Sequence, residues 1–141
     1  MDMSKAVRPE LSSKNKYWVE RERYYELKHF CLQYRGWKNM LDVLDGLSRN
    51  HEELEKVAKT NNISNPTEAL AMERAKWSNR IDLVEKSAKE ADEEFAPYIL
   101  KGVTEGVNYD HQNAVSPLPM SRDTYYILYR RFFWILDQYR D

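Results

Sequence analysis

One cysteine, Cys31, stands in 141 residues. No disulfide can form within the chain, and a reducing compartment, the cytoplasm, is the expected setting. Glycine is scarce at four and proline at five, which leaves long stretches free for helices. Alternating apolar/polar runs of the strand type are scarce as well. No run approaches the ~20 apolar residues of a membrane span, and the opening Met1-Asp2-Met3-Ser4-Lys5 leads into no apolar segment of secretory type. A membrane is therefore not an expected partner. Net charge is nearly absent: 22 basic residues stand against 23 acidic ones, so bulk charge lends nucleic-acid binding no support.

Catalytic and metal-binding patterns are missing too. His29, His51 and His111 lie in separate segments, and Glu26 near His29 makes only two ligands on one turn, short of a metal set. Glu52-Glu53 and Glu93-Glu94 are adjacent on helices, diverge, and cannot pair across a substrate. Ser121 has no Gly-x-Ser-x-Gly elbow, and there is no Gly-rich phosphate loop. The chain reads as a non-enzyme that needs no cofactor and no metal.

What remains is rich in core material. Hydrophobic residues make 42% and aromatic residues 13%, too much for wholesale disorder, and the patterning is that of an all-α protein. Charge is unevenly spread. Residues 1–37 carry eight Lys/Arg against five Asp/Glu (+3), residues 38–91 nine against ten (−1), and residues 92–141 five against eight (−3).

Three parts are expected: a flexible polar arm (1–13), an N-terminal helical domain (14–91) with a loop near 48–64, and a C-terminal domain (92–141). The first helix is read from Ser13 to about Tyr34, where Tyr17/Trp18, Tyr24/Tyr25 and Cys31/Leu32 repeat every seven residues. Gly36 is expected to break the pattern before a second helix carrying Trp37, Met40, Leu41 and Leu44. The two should form an antiparallel hairpin. A short helix over Glu52–Lys59 and a loop over Thr60–Asn65 follow. Asn65, Pro66 and Glu68 then mark a helix start as N-cap, first residue and capping-box partner. Leu70, Trp77, Ile81, Val84, Ala88 and Ala91 give that long central helix a seam, read first as a core contact with the first helix and second as a homodimer seam.

Asp92 is expected to cap a short helix with Phe95, Tyr98, Ile99 and Val103 inside and Gly102 and Gly106 at its end. Asn108 caps another through Val115. Pro117 and Pro119 turn the chain, and Ser121 caps the last helix. There Tyr125, Tyr129, Phe132 and Ile135/Leu136 recur at helical spacing as core, while Arg122, Tyr126, Arg130 and Arg131 fall largely off the stripe. Tyr126, Phe133 and Trp134 supply a second contact, with the N-terminal hairpin or with another chain. A short helix, a turn and a helix with an apolar back and an Arg/Tyr front have the layout of a helix-turn-helix reader. The same pattern also describes a core helix with solvated arginines.

Glu105-Gly106-Val107-Asn108-Tyr109-Asp110, then Met120-Ser121-Arg122-Asp123-Thr124-Tyr125, resembles the helix-turn-helix that ends sigma factors. The wider layout, with Tyr25-Glu26-Leu27-Lys28-His29-Phe30-Cys31-Leu32-Gln33-Tyr34 followed by Trp37, resembles late-gene transcriptional activators of Gram-positive phages and prophages of the RinA and ArpU type. The resemblance implies a phage-encoded regulator of transcription in the bacterial cytoplasm, which binds double-stranded DNA through Arg122, Thr124, Tyr126 and Arg130, with Arg131 on a phosphate. The sequence departs from the pattern at His111–Pro119, which is longer, polar where a core residue is expected, and carries prolines at the turn. Ile127 and Leu128 are apolar where an exposed face is usually polar. The alternative is a helical interaction module that binds RNA polymerase or another protein through the same helix without reading DNA, which the acidic balance of residues 92–141 favours. A virion or scaffold component is a third, weaker option.

Overall fold

The computed structural model describes residues 15–141, which are all-α with no strand. The arm expected over residues 1–13 lies outside them, as does the helix start read at Ser13; residues 15–20 are not helical, and the first helix begins at Arg21. Seven helices are present among the described residues: α1 (Arg21–Cys31), α2 (Tyr34–Arg49), α3 (His51–Thr60), α4 (Pro66–Ala91), α5 (Ala96–Glu105), α6 (Tyr109–Val115) and α7 (Arg122–Tyr139).

Asn and Ser side chains set most of the helix starts. Asn50 Oδ1 accepts from Glu53 N–H at 3.1 Å, and Asn108 Oδ1 accepts from His111 N–H at 2.8 Å. Asn65 Oδ1 accepts from Glu68 N–H at 3.1 Å, and Glu68 Oε2 accepts from Asn65 Nδ2 at the same distance, so the box closes on the Asn side chain rather than on its backbone. Ser121 Oγ accepts from Thr124 N–H at 3.2 Å. Its replacement by alanine will lower stability by ~1 kcal/mol, readable as a shift of the urea midpoint. An unchanged midpoint would remove the cap from the account of α7. Asp92 departs a little from expectation: its carboxylate accepts from Phe95 N–H at 2.9 Å and closes the turn that precedes α5.

Two breaks move. The chain leaves α1 at Leu32–Gln33, and Gly36, expected to end a helix, lies inside the first turn of α2. Gly46 likewise lies within α2. A glycine costs a helix only about 1 kcal/mol relative to alanine, and α2 buries Tyr34, Trp37 and Leu44 on one face. That burial outweighs both glycines.

The chain divides into two units, residues up to Gln33 with Leu83–Asp141, and Tyr34–Asp82. The sequence reading places a boundary at 91/92; the units themselves divide at Gln33/Tyr34 and Asp82/Leu83. In the first unit α1 packs on α5 and α7, and α7 also packs on α5 and α6. Its core holds Leu27, Cys31, Val84, Ile99, Val103, Tyr125, Phe132, Phe133 and Leu136, all at or below 2% exposure. Burial pushes the Cys31 thiol well above its ordinary range, so it acts as a small apolar side chain. Arg23 ties α1 to the end of α7. Its Nε donates to Asp137 at 2.6 Å, its Nη1 to Glu26 at 2.7 Å, and its Nη2 to the Arg140 carbonyl; Arg140 in turn pairs with Glu26 and lies 4.2 Å from the Phe30 ring centroid. Val84, Ala88 and Ala91 of the central seam are buried within this unit.

In the second unit α2 packs on α3. Leu44, Leu54, Val57, Ile63 and Leu70 line an apolar cavity of about 120 Å³, and Arg74 pairs with Asp45. Trp77 is flanked by Lys76 and Arg80 at 4.8 and 5.0 Å from its ring.

Candidate functional site

The three-helix unit expected at the end of the chain is present, and its parts are fixed by a few polar contacts in an apolar setting. Gly106 ends α5 in the left-handed conformation (φ 69°), which glycine adopts without a Cβ penalty, and its N–H donates to the Gly102 carbonyl at 3.0 Å. α6 follows two residues after Gly106. Gln112, which reads as polar where a core residue belongs, is indeed buried at 4% exposure. Its Nε2 donates to the Tyr98 carbonyl at 3.3 Å and to Tyr125 Oη at 3.1 Å, so its donors are satisfied. The turn from α6 to α7 is held by Leu118 N–H donating to Asn113 Oδ1 at 2.9 Å and by Tyr109 Oη donating to the Met120 carbonyl at 2.7 Å.

α7 is apolar inward on two sides. Tyr125, Tyr126, Leu128, Phe132, Phe133 and Leu136 are buried. Turned away from them, at about 100° per residue, Asp123, Thr124, Ile127, Arg130, Arg131, Trp134 and Gln138 share roughly 120° of arc. Asp123, Thr124, Ile127, Arg131 and Gln138 are exposed; Arg130 and Trp134 are half-buried. This arc is the candidate surface.

The five site residues read from the sequence divide. Thr124, Arg130 and Arg131 come together on the arc. Burial lowers the Arg130 guanidinium from its ordinary value, with Asp123 acting against that shift. Arg131 borders a groove of about 270 Å³ with Glu90, Trp134, Ile135, Gln138 and Tyr139. Arg122 stands off the arc, beyond the buried Tyr126, half-buried itself, 3.4 Å from Asp110 and 6.0 Å from the Tyr126 ring centroid. Tyr126 does not reach the surface: it is 8% exposed, its hydroxyl accepts from Tyr109 N–H at 3.2 Å, and its ring meets those of Tyr125 and Tyr129. It is a core residue because its off-stripe position faces the α6 side of the unit.

Two members of the arc were not among the sequence candidates. Ile127 is 47% exposed, the most exposed apolar side chain of α7. Asp123 brings a carboxylate to the same face. The signal for both was the burial of Leu128 and Tyr126 on either side of Ile127, which periodicity alone leaves open. Among the described residues no group of three or more His, Cys, Asp or Glu gathers as for a metal ion, and no helix is long and apolar enough to cross a membrane. Comparison with protein-family models, with curated proteins and with solved structures returns no match.

Proposed function

We propose that the chain is a DNA-binding regulator of transcription, of the phage type its sequence resembles, and that α7 meets double-stranded DNA with its outward arc. The observation that supports this reading is the gathering of Thr124, Arg130 and Arg131 on one face of a capped helix that follows a short helix and a turn. Arg131 reaches a phosphate; Arg130 and Thr124 sit where base edges or phosphates would come; Ile127 between them suits a thymine methyl. Tyr126, being buried, supports the helix from behind. Arg122 adds a phosphate contact once it leaves Asp110.

The test is a titration of double-stranded fragments, including the gene's own neighbourhood, at two salt concentrations. Binding should be selective and should fall as salt rises. Arg131→Ala should weaken all fragments alike and reduce the slope of log K against log salt by about 1, whereas Arg130→Ala should cost ~1–3 kcal/mol if it reads a base. No binding at low salt by a folded chain would sink the DNA reading.

A second reading has its own support. Ile127, at 47% exposure beside the half-buried Trp134, gives the arc an apolar centre, and Asp123 sets a carboxylate on it. Both suit a protein surface, RNA polymerase being the partner expected from the resemblance. An apolar protein interface changes little over the salt range that weakens a DNA complex.

A further inference from the structure

We propose that a second copy of this chain docks antiparallel on the outward arc of α7, Ile127 against Ile127 of the second copy, with Asp123 of each copy paired to Arg131 of the other. The pattern is self-complementary about one residue. Asp123 lies four residues before Ile127 and Arg131 four residues after it, each about 6 Å along the axis, and all three are exposed. A two-fold axis through Ile127 carries position −4 onto position +4, so each carboxylate meets a guanidinium twice over. A parallel alignment in register would set carboxylate on carboxylate and guanidinium on guanidinium. The three residues form one i, i+4, i+8 ridge, the kind that interdigitates when helices cross at about −50°. Thr124 and Arg130, at −3 and +3, exchange in the same way.

Competing groups among the described residues leave this pairing open. Glu90, which shares the groove with Arg131, has its Oε1 engaged by the Tyr139 hydroxyl at 2.6 Å. Asp123 acts on Arg130 through charge, and among the described residues neither Asp123 nor Arg131 has a salt-bridge partner. One helix crossing buries less than the about 1,600 Å² of a standard interface, so the dimer is weak and forms as the chain accumulates. It also covers Thr124, Arg130 and Arg131. Resting on the DNA-binding reading above, the dimer is therefore an off state, exclusive with DNA, whose population rises with concentration.

Sedimentation velocity of the full chain at low salt, from micromolar to near-millimolar concentration, tests this. The wild type should show a reversible monomer–dimer equilibrium. Arg131→Glu and Asp123→Arg should each weaken it at least tenfold, and the double exchange D123R/R131E should restore it. R131E lies mid-helix and keeps the test intact where D123R disturbs the first turn. A wild type that stays monomeric throughout, or a dimer indifferent to R131E, overturns the proposal. Labelled DNA added to the dimer separates the two readings. Dissociation into DNA-bound monomers supports the off state. A dimer that persists at saturating DNA overturns the exclusion. A dimer with no DNA binding at any concentration removes the DNA reading and leaves the interface.

Discussion

Replacing Gly102 by alanine will destabilise the protein by about 1–3 kcal/mol, the range of an overpacked core site. The sign runs against propensity. In an exposed helix interior the same change stabilises by up to about 1 kcal/mol. At Gly102 the added Cβ would overlap the Tyr125 hydroxyl oxygen outright, and would lie 3.2 Å from Gln112 Nε2 and 3.4 Å from Tyr125 Cζ. Tyr125 is fully buried on the helix that carries the candidate surface and has no room to swing away. Any shift also breaks its bond with Gln112, leaving buried polar groups short of a partner. Gly36 and Gly46 are the controls, since a Cβ at either meets nothing within 4 Å. Gly36→Ala and Gly46→Ala should raise the urea midpoint while Gly102→Ala lowers it. Tyr125→Phe removes the overlapping oxygen, so G102A/Y125F should be more stable than the sum of the two single changes predicts. If Gly102→Ala is as stable as wild type, the close approach of α5 and α7 is wrong.

This contact shows where the sequence is legible and where it is not. Caps are local, and Asn65, Asn108 and Ser121 sit where their short oxygens reach an N–H three residues on. Helix existence and order followed from them and from spacing. Gly102, by contrast, reads as a helix ender near Gly106, and only the fold reveals that it makes room for a hydroxyl twenty-three residues away. Gln112 reads as a defect of the motif until Tyr98 and Tyr125 supply its partners. Tyr129 reads as core and is half-buried, its hydroxyl meeting Tyr24 Oη at 3.1 Å. Tyr126 reads both as a DNA contact and as part of a second packing contact, and a single helical stripe does not decide between them, because α7 is covered on two sides, by α1 and α5 and by α6. The division into two units is not legible for the same reason. Pairing of α1 with α7 links residues more than a hundred positions apart, and no local pattern carries it. The arginines of the candidate surface were found by spacing, but which of them face outward depended on those same long-range contacts.

Phe133→Ala will cost about 3–5 kcal/mol, the range for an aromatic removed from a packed core, and is the largest single effect expected in the first unit. Its ring is fully buried and meets Tyr24 of α1 at 5.1 Å, Tyr129 at 5.0 Å and Phe132 at 5.0 Å, each edge-on. Such pairs contribute ~0.5–1.5 kcal/mol beyond the area they bury. Deleting the ring opens a void between α1 and α7 that backbone relaxation fills only in part. Phe133→Leu keeps most of the volume and should cost less than half as much, which separates lost packing from lost aromatic geometry. Ile127→Ala, about 120° away around the same helix and half out in solvent, should stay within about 0.5 kcal/mol. Chemical denaturation followed by far-UV circular dichroism gives all three values, and amide exchange in α1 should quicken with Phe133→Ala alone. The pair matters for function because it divides α7 into a side that holds the fold and a side that does not. Comparable losses at Phe133 and Ile127 would mean that the outward arc is itself a packed surface and that neither DNA nor a second copy meets it in the free chain. A large loss at Phe133 with none at Ile127 leaves the arc free to be changed residue by residue, so that any effect of Asp123, Arg130 or Arg131 on binding is read as contact and not as unfolding.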